Sequence, residues 1–259
     1  VLDDVSQLIE AQRATAWGEV ARRLAHEIKN PLTPIRLAAE RLEMKLENRL
    51  EDQADVDLLH RAIATITTQV DALKQMVNDF REYARLPSAN LVPLDLNAFL
   101  TDAASLYHQA GTEVTLRLDP TLPAVLADAS QLRQVIHNLI SNSIDAAGAE
   151  AEIEIQTRSD ASPDGPSTVR LIFRDNGTGF SSKILAKAFE PYVTTKETGT
   201  GLGLPMVKKI LDEHHASIEL SNRMDRTGYL ILGAQVDIRF PVFSSATRTT
   251  PVSDTQRTD

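Results

Sequence analysis

The chain has 259 residues, of which 42% are hydrophobic and 24% are charged, and its formal net charge is −9 at pH 7. That length is enough for two modest domains, and the acidic balance argues against a nucleic-acid-binding surface, which needs basic residues to neutralise phosphates. With no cysteine in the sequence, disulfide bonds and thiolate metal sites are excluded.

The first third of the chain predicts two long helices. Apolar residues recur at alternating steps of three and four from Val56 to Phe80, which is typical of a heptad seam, and a looser stripe runs from Trp17 to Leu46. The polar residues 47–55 between them could turn the chain, giving an antiparallel helical hairpin. One hairpin leaves much of its seam in water, so we expect two copies to pair as a homodimeric four-helix bundle.

The second half predicts mixed α and β structure after a break at Leu86-Pro87 and a short polar linker. Helices are expected over residues 95–109, 129–147 and 202–214, and strands over residues 113–118, 151–157, 168–174, 217–220 and 229–240. A turn containing Pro163, Gly165 and Pro166 should join the second and third strands. The tail from Ser244 lacks apolar spacing, and we expect it to be disordered.

One histidine on the first predicted helix has unusual neighbours. His26 lies two residues from both Leu24 and Ile28, so it should face solvent, opposite the apolar stripe. An isolated histidine there would be an ordinary surface residue. The segment around it, however, reads His26-Glu27-Ile28-Lys29-Asn30-Pro31-Leu32-Thr33-Pro34.

The chemistry of that segment favours a nucleophilic histidine. Pro31 would free the carbonyl of Glu27, so we expect a kink just beyond the histidine. The Glu27 carboxylate could take a proton from the imidazole and leave a ring nitrogen nucleophilic. Asn30, one turn later on nearly the same face, could orient a water molecule.

Two further segments could contact a nucleotide. On the helix over residues 129–147, Asn138 and Asn142 share a face, and an amide oxygen there could hold Mg²⁺ together with phosphate oxygens. The alternative is a pair of asparagines that caps a neighbouring loop.

A second segment follows a predicted strand and reads Asp175-Asn176-Gly177-Thr178-Gly179-Phe180. Its aspartate could accept a hydrogen bond from an adenine amino group, although Asn-Gly after a strand usually marks only a turn.

A third segment precedes a predicted helix and reads Gly199-Thr200-Gly201-Leu202-Gly203-Leu204. Glycines before a helix N-terminus expose backbone N–H groups that can bind phosphate. Spaced glycines are weak on their own, and this loop does not follow the strand–turn–helix order of a Rossmann fingerprint. No Gly-Lys-Ser/Thr sequence of a Walker A loop occurs.

The segment from His26 to Pro34 resembles the H-box of sensor histidine kinases in two-component systems. Together with Ala11-Gln12-Arg13 and Ala16-Trp17, it is most similar to the nitrogen-regulation kinases related to NtrY. The resemblance implies that His26 is phosphorylated on a ring nitrogen and that Glu27 assists. It also implies that Asn30 supports dephosphorylation of the partner, the receiver domain of a response regulator.

The other three segments resemble the N, G1 and G2 boxes of the GHKL ATPases, and Phe189-Glu190-Pro191-Tyr192 is similar to the F box. The resemblance implies an α/β-sandwich domain of the Bergerat type that binds ATP and Mg²⁺. Its implied residues are the metal ligand Asn142 with Asn138 nearby, the adenine reader Asp175, the glycines Gly177, Gly179, Gly201 and Gly203, and the G2 loop residues Thr200 and Leu202.

A mobile lid over residues 181–200 is implied as well, with Lys196 either on the phosphates or in solvent. One departure from the pattern is the segment from His214 to Ser217, where related kinases have a glycine. We expect a different helix C-cap there and little effect on catalysis.

These features give an expected domain order. Residues 1–12 would end an upstream sensory, PAS-like domain, and residues 13–87 would form the dimerisation and phosphotransfer hairpin. Residues 91–243 would form the ATP-binding domain, followed by the tail at 244–259. No apolar run approaches the ~20 residues that span a bilayer, and no signal peptide opens the chain, which begins with valine. We expect a cytoplasmic fragment without membrane contact, from a protein that an upstream segment could anchor in the inner membrane.

The predicted function is an ATP-dependent protein-histidine autokinase with phosphatase activity toward its regulator, in a role that could be nitrogen-related. A GHKL ATPase of the gyrase, MutL or chaperone kind would call for a glutamate near Asn138 and would lack the His26 helix. A pseudokinase scaffold predicts decay in one of the boxes, and none is visible. A monofunctional phosphatase would keep the same residues and stays open.

Overall fold

The computed structural model describes the backbone of residues 2–109, 112–160, 167–196 and 199–243, and the side chains of these residues except 2–20, 22, 23, 109 and 149. The predicted turn around Gly165 and the predicted tail at 244–259 lie outside the described residues. The chain divides into two compact units. The first comprises Val1–Ser88 and Ser181–Lys209, and the second comprises Ala89–Phe180 and Ile210–Asp259.

The first unit is built on the predicted helical hairpin. Helix α1 spans Leu2–Leu46, a 3-10 turn follows at Glu47–Arg49, and helix α2 spans Gln53–Ala84. Asp52 is the N-cap of α2, and its side chain accepts a 2.8 Å hydrogen bond from the Ala54 amide. Helix α1 continues through both Pro31 and Pro34, and the predicted kink stays a prediction. Among the described residues, no helix combines the length and apolarity needed to cross a bilayer.

Only a minority of the predicted apolar seam is buried within one chain. On α2 the buried positions are Ile63, Val70 and Val77, spaced seven residues apart, whereas Ile66 and Leu73 between them are 40% and 44% exposed. On α1 the buried residues are Ala21, Ala25, Leu32 and Ala39. In the predicted stripe on α1, Leu24, Ile28, Ile35 and Leu42 are 44–52% exposed, as expected of a seam that one hairpin leaves partly in water, whereas Ala21 and Ala25 were not predicted to be buried.

The physical reason is that two helices in contact bury one line of side chains each. Small alanines let α1 approach α2 closely, so the alanine line takes the contact. The larger apolar residues beside that line stay accessible and are the surface that the expected second copy would cover.

The second unit contains a mixed five-stranded sheet. Its strands are β2 (Glu113–Arg117), β4 (Glu152–Asp160), β5 (Thr168–Asp175), β6 (Ser217–Met224) and β7 (Ile231–Pro241), in the order β2-β4-β5-β7-β6. Strands β2 and β4 are parallel, and the other neighbours are antiparallel. The register aligns Ile155, Phe173 and Val236 across the three central strands, and all three are buried. This row forms part of the core.

Helices α3 (Leu96–Gln109) and α4 (Ala129–Ala147) pack in the same unit, α3 against β2 and α4 against β4 and β5. The burial of Leu132, Val135, Ile136, Leu139 and Ile140 follows the helical period on α4. Four short elements were not predicted: β1 (Val92–Leu94) and β3 (Val125–Ala127), which pair antiparallel, the 3-10 turn at Gly148–Glu150, and the one-turn helix α5 (Ser182–Leu185). They are too short for a periodic signal.

Helix α6 (Gly203–Glu213) ends in a Schellman motif without glycine. His215 has a φ of 54° and its amide donates to the Asp212 carbonyl at 3.0 Å, while the Ala216 amide donates to the Leu211 carbonyl at 2.8 Å. The unusual C-cap predicted for this segment is therefore a histidine in the left-handed conformation. His214 beside it is buried, and its Nε2 accepts a 2.9 Å hydrogen bond from the Asp128 amide.

The start of α4 and the end of α6 both bind the linker backbone. The Asp128 carboxylate caps α4 through the Ser130 and Gln131 amides and also accepts from the Asn90 amide at 3.0 Å. The Glu213 carboxylate accepts from the Ala89 amide at 3.1 Å. The hydrogen bond from the Ser130 hydroxyl is the largest cause that lowers the pKa of Asp128 to about 2.

Replacing Asp128 with alanine should therefore destabilise the second unit. Loss of an N-cap costs about 1 kcal/mol, or a fall of about 2–4 °C in the melting temperature for a chain of this size. Because the folded pKa lies below the ordinary value of about 3.9, the carboxylate stabilises the fold fully above that value and less as the pH falls toward 2. Calorimetry of the parent and Asp128→Ala should show a constant difference from pH 8 to about pH 5 that shrinks below about pH 4.

Asp128→Asn is the matched control, because asparagine is also a good N-cap, and it should recover most of the loss. An Asp128→Ala chain that melts with the parent at pH 7 would contradict the assignment of this cap.

Candidate functional site

The segment around His26 lies on the solvent-facing side of α1. His26, Glu27 and Asn30 are all exposed, while Ala25 and Leu32 beside them are buried against the hairpin. His26 therefore faces solvent, as the spacing predicted. His26 and Asn30 are four residues apart and share a helix face. An exposed imidazole flanked by a carboxylate and an amide is chemically suited to accept a phosphoryl group.

In the second unit, the buried carboxylate of Asp175 is held from several sides. Its Oδ1 accepts hydrogen bonds from the Gly177 amide at 3.0 Å and from the Ala234 amide at 2.8 Å. Its Oδ2 accepts from the Ser143 hydroxyl at 3.0 Å, and its backbone carbonyl accepts from the Arg223 guanidinium at 2.7 Å. With four groups fixing its position, Asp175 is a rigid acceptor at the end of β5.

The loop after Asp175 is fixed by two asparagines. The side-chain Oδ1 of Asn176 accepts a hydrogen bond from the Glu152 backbone amide at 3.0 Å, and its Nδ2 donates to the Glu150 carbonyl at 2.8 Å. Asn176 therefore anchors the start of β4. Asn222 on β6 bonds both the amide and the carbonyl of Phe180, at 2.7 and 2.8 Å. Gly179 has a φ of 71°, and a Cβ there would lie 2.6 Å from Ile231 Cγ2, so only glycine fits.

The asparagine pair lies on α4. Asn138 and Asn142 are half-buried and one turn apart, and the Asn138 Nδ2 donates to the Gln134 carbonyl at 3.0 Å. That bond leaves the Asn138 amide oxygen as a ligand of the kind that Mg²⁺ takes. Among the described residues there is no cluster of three or more His, Cys, Asp or Glu that could hold a metal alone. The pair fits Mg²⁺, which usually takes one or two protein ligands and completes its shell with phosphate oxygens and water.

The glycine-rich loop and the predicted lid belong to the first unit. Within it, the Thr200 hydroxyl donates to the Asp79 carboxylate on α2 at 2.8 Å, and the Tyr192 amide donates to the Gly201 carbonyl at 3.0 Å. Leu202 is buried and Lys196 is exposed. The Lys209 ammonium donates to the Tyr83 carbonyl at 3.1 Å and lies 5.2 Å from that ring's centroid.

The structure thus brings some of the predicted residues together. Asp175, Gly177 and Gly179 form one loop, and Ser143 connects it to the helix of Asn142 and Asn138. Thr200, Gly201, Leu202, Gly203 and Lys196 lie in the other unit, with His26, Glu27 and Asn30. Sequence reasoning missed the residues that hold Asp175 and its loop: Ser143, Asn222, Arg223 and Ala234.

Two family models match the chain in the same order as the two kinds of site. Residues 16–89 match the His Kinase A (phospho-acceptor) domain, and residues 127–243 match the histidine kinase-, DNA gyrase B- and HSP90-like ATPase. The chain belongs to the sensor histidine kinases of two-component systems.

Curated relatives agree with this family. The chain is 38% identical over 232 residues to the nitrogen regulation protein NtrY of Azorhizobium caulinodans, covering 88% of the chain and 30% of the relative. It is 32% identical over 239 residues to the sensory histidine kinase/phosphatase NtrB of Rhodobacter capsulatus, covering 87% of the chain and 64% of the relative. This histidine kinase thus spans about a third of the length of the NtrY relative.

Solved histidine kinases share the fold. One is ThkA in complex with the response regulator protein TrrA, at a TM-score of 0.59 and 25% identity over 90% of this chain and 64% of that chain. Another is full-length ShkA in complex with AMPPNP, at a TM-score of 0.58 and 26% identity over 89% of this chain and 47% of that chain. The predicted fold, a helical hairpin followed by a GHKL-type α/β domain, is confirmed.

Proposed function

We propose that this histidine kinase transfers the γ-phosphoryl group of ATP to a ring nitrogen of His26 and then to an aspartate of a response-regulator receiver domain. The observation that carries the proposal is the exposed imidazole of His26, with Glu27 next to it and Asn30 one turn later, on the helix matched by the phosphoacceptor family model. Residues 13–87 would form the phosphotransfer hairpin and residues 91–243 the ATP-binding domain.

The transfer step is an in-line displacement. An N–P bond forms at the imidazole as the bond between the γ-phosphorus and its bridging oxygen breaks, and ADP leaves. Glu27 takes the proton that the imidazole loses, because its carboxylate is the adjacent base. Mg²⁺, when bound through Asn142 with Asn138 nearby, would neutralise charge on the phosphates.

The protein's own groups select and hold the nucleotide. Asp175 accepts a hydrogen bond from the adenine amino group, and its rigid support keeps that acceptor in place. Gly201 and Gly203 expose backbone N–H groups at the start of α6, which bind phosphate, and Thr200, Leu202 and Lys196 complete this loop and lid. A phosphate contact by Lys196 is part of this proposal.

The exposed apolar residues of the hairpin support a homodimer. Leu24, Ile28, Ile35 and Leu42 on α1 and Ile66 and Leu73 on α2 are each at least 40% exposed in the single chain. Burying such side chains against a second hairpin would form a four-helix bundle.

The comparisons support a partner and a reverse activity for this chain. ThkA was solved in complex with a response regulator protein, which supports a receiver domain as the partner of this chain. Asn30, exposed one turn after His26, would orient water for dephosphorylation of the regulator. The relative NtrB is named a kinase/phosphatase, which supports both activities here, and the NtrY relative supports a nitrogen-related role.

We also propose that this part of the protein faces the cytoplasm, where ATP is found, and that the full-length protein is anchored in the inner membrane.

Incubation with γ-labelled ATP and Mg²⁺ tests the proposal. The parent chain should acquire label that is labile to acid, as expected of a phosphorus–nitrogen bond, and His26→Gln should acquire none. The matched control is His60→Gln, since His60 is a histidine on the same hairpin, 3.3 Å from Glu47, and has no proposed role. His60→Gln should label like the parent.

Label that persists in His26→Gln would contradict the proposal. ATP hydrolysis by the parent without any protein label would instead favour the gyrase-like ATPase.

A further inference from the structure

We propose that Ser143 is a positioning residue for Asp175 and sets the preference of this kinase for a nucleotide with a 6-amino group. The inference rests on the proposed role of Asp175 in reading adenine. Ser143 immediately follows Asn142 on α4 and is buried, and its hydroxyl oxygen lies 3.0 Å from Asp175 Oδ2.

The hydrogen bonds around Asp175 distinguish its two oxygens. An ionised carboxylate has about four acceptor positions, two on each oxygen. Oδ1 already accepts from the Gly177 and Ala234 amides, whereas Oδ2 accepts from the Ser143 hydroxyl. The geometry therefore leaves Oδ2 as the oxygen for a donor on a ligand, and Ser143 holds that same atom.

The Ser143 hydroxyl has one proton and two acceptors within reach. Its oxygen is 3.1 Å from the Leu139 carbonyl and 3.0 Å from Asp175 Oδ2. If the proton went to Leu139, the lone pairs of the hydroxyl would face the carboxylate and repel it. Because hydrogen bonds to a charged acceptor are also the stronger ones, the proton goes to Asp175. The hydroxyl thus fixes the rotation of the carboxylate.

This bond also ties the base-reading carboxylate to the helix of Asn142 and Asn138. The other three supports of Asp175, the Gly177 amide, the Ala234 amide and the Arg223 guanidinium, come from its own loop and from β6 and β7. Ser143 is the link from α4 among the hydrogen bonds of the described residues. A shift of α4 would therefore reach the Asp175 carboxylate through this hydroxyl, in addition to the packing of α4 on β5.

Removing the hydroxyl should weaken recognition of the adenine amino group. For Ser143→Ala we expect an about tenfold higher dissociation constant for ATP, the usual size of a lost hydrogen bond to a charged group. Labelling of His26 at saturating ATP should change by less than about twofold, because Ser143 does not contact the γ-phosphoryl group. The probe that isolates the effect is purine riboside triphosphate, in which hydrogen replaces the 6-amino group. Its affinity should fall by less than about twofold in Ser143→Ala.

Three variants make the experiment specific. Ser143→Thr keeps a hydroxyl and should recover ATP affinity at least in part. Ser105→Ala is the matched control, because the Ser105 hydroxyl bonds only the Asp102 carbonyl of its own helix at 2.7 Å among the described contacts. It should bind ATP like the parent. Asp175→Asn supplies the reference value of the ATP affinity when the carboxylate no longer accepts a hydrogen bond from the adenine amino group. Binding is measured by calorimetric titration of the full chain, with melting temperature as the check on folding.

Each remaining outcome overturns the inference. An equal loss of affinity for both nucleotides in Ser143→Ala would show that Ser143 acts through packing. Unchanged ATP binding in Ser143→Ala, with loss in Asp175→Asn, would remove the role of Ser143 and leave the proposed kinase function intact. A parent chain that binds neither nucleotide would overturn the inference and the proposed function together.

Discussion

Replacing Asp175 with asparagine should reduce ATP affinity by about 100-fold and abolish labelling of His26 at micromolar ATP. Oδ1 of the native carboxylate accepts hydrogen bonds from two backbone amides, so the asparagine oxygen must occupy the Oδ1 position. The amide nitrogen would then stand at the position of Oδ2, and its N–H groups would face the adenine amino group, which is also a donor, in the proposed complex. Two opposed donors in a buried site cost about 2–3 kcal/mol, which corresponds to the expected loss.

Calorimetric titration with ATP, followed by the labelling assay, measures this effect. Asp225→Asn is the matched control, because Asp225 accepts hydrogen bonds in the exposed turn between β6 and β7 and has no proposed ligand. It should bind ATP like the parent. An Asp175→Asn chain that binds ATP within about threefold of the parent would remove Asp175 from the nucleotide site.

Replacing Gly233 with alanine should have the largest effect on folding. Gly233 on β7 has a φ of 145°, and a Cβ built on it would lie 1.9 Å from the backbone oxygen of Asp175. No side chain rotation can relieve a clash with backbone, so β7 and the end of β5 must separate. We expect a destabilisation of at least about 4 kcal/mol. We also expect the loss of ATP binding, because the hydrogen bond from the Ala234 backbone amide to the Asp175 carboxylate would break when the strands separate.

Gly228 in the same hairpin is the matched control. It has a φ of 76°, and nothing lies within 4 Å of an added Cβ. Gly228→Ala should therefore cost only the left-handed penalty of about 1–2 kcal/mol. Thermal unfolding followed by circular dichroism compares the two. If Gly233→Ala melts within about 2 °C of the parent, β7 and Asp175 do not make the close approach that the structure shows.

The long periodic elements could be predicted from the sequence. Helix α4 has the predicted bounds, because Asp128 supplies an N-cap, Gly148 ends the helix, and the apolar spacing between them is regular. The seam of the hairpin was also found, but the buried line within one chain was not. Whether Leu24 or Ala25 faces α2 depends on how closely the two helices approach, and the stripe alone does not encode that distance.

The site could be predicted where its chemistry is local. The loop after β5 could be predicted because Asp175, Gly177 and Gly179 lie close together in one motif. Arg223 and Ala234 were missed because they reach Asp175 only through the register of β6 and β7, from 48 and 59 residues away in the chain.

Two signals were nevertheless available in the sequence. A polar Ser143 continues the buried apolar face of α4, and Gly233 interrupts a predicted strand, which often marks close backbone approach.

The two linker hydrogen bonds also bear on how the reaction is organised in space. Arg85 still caps α2, and Ala89 is already bonded to Glu213, so the chain between them can span at most about 14 Å. If the ATP-binding domain is bound to nucleotide as proposed, a tether of this length would give the ATP an effective concentration near the millimolar range expected of short linkers. The proposed phosphoryl transfer would then need little intrinsic affinity between the two domains, and we expect the length of residues 86–88 to affect the autokinase rate.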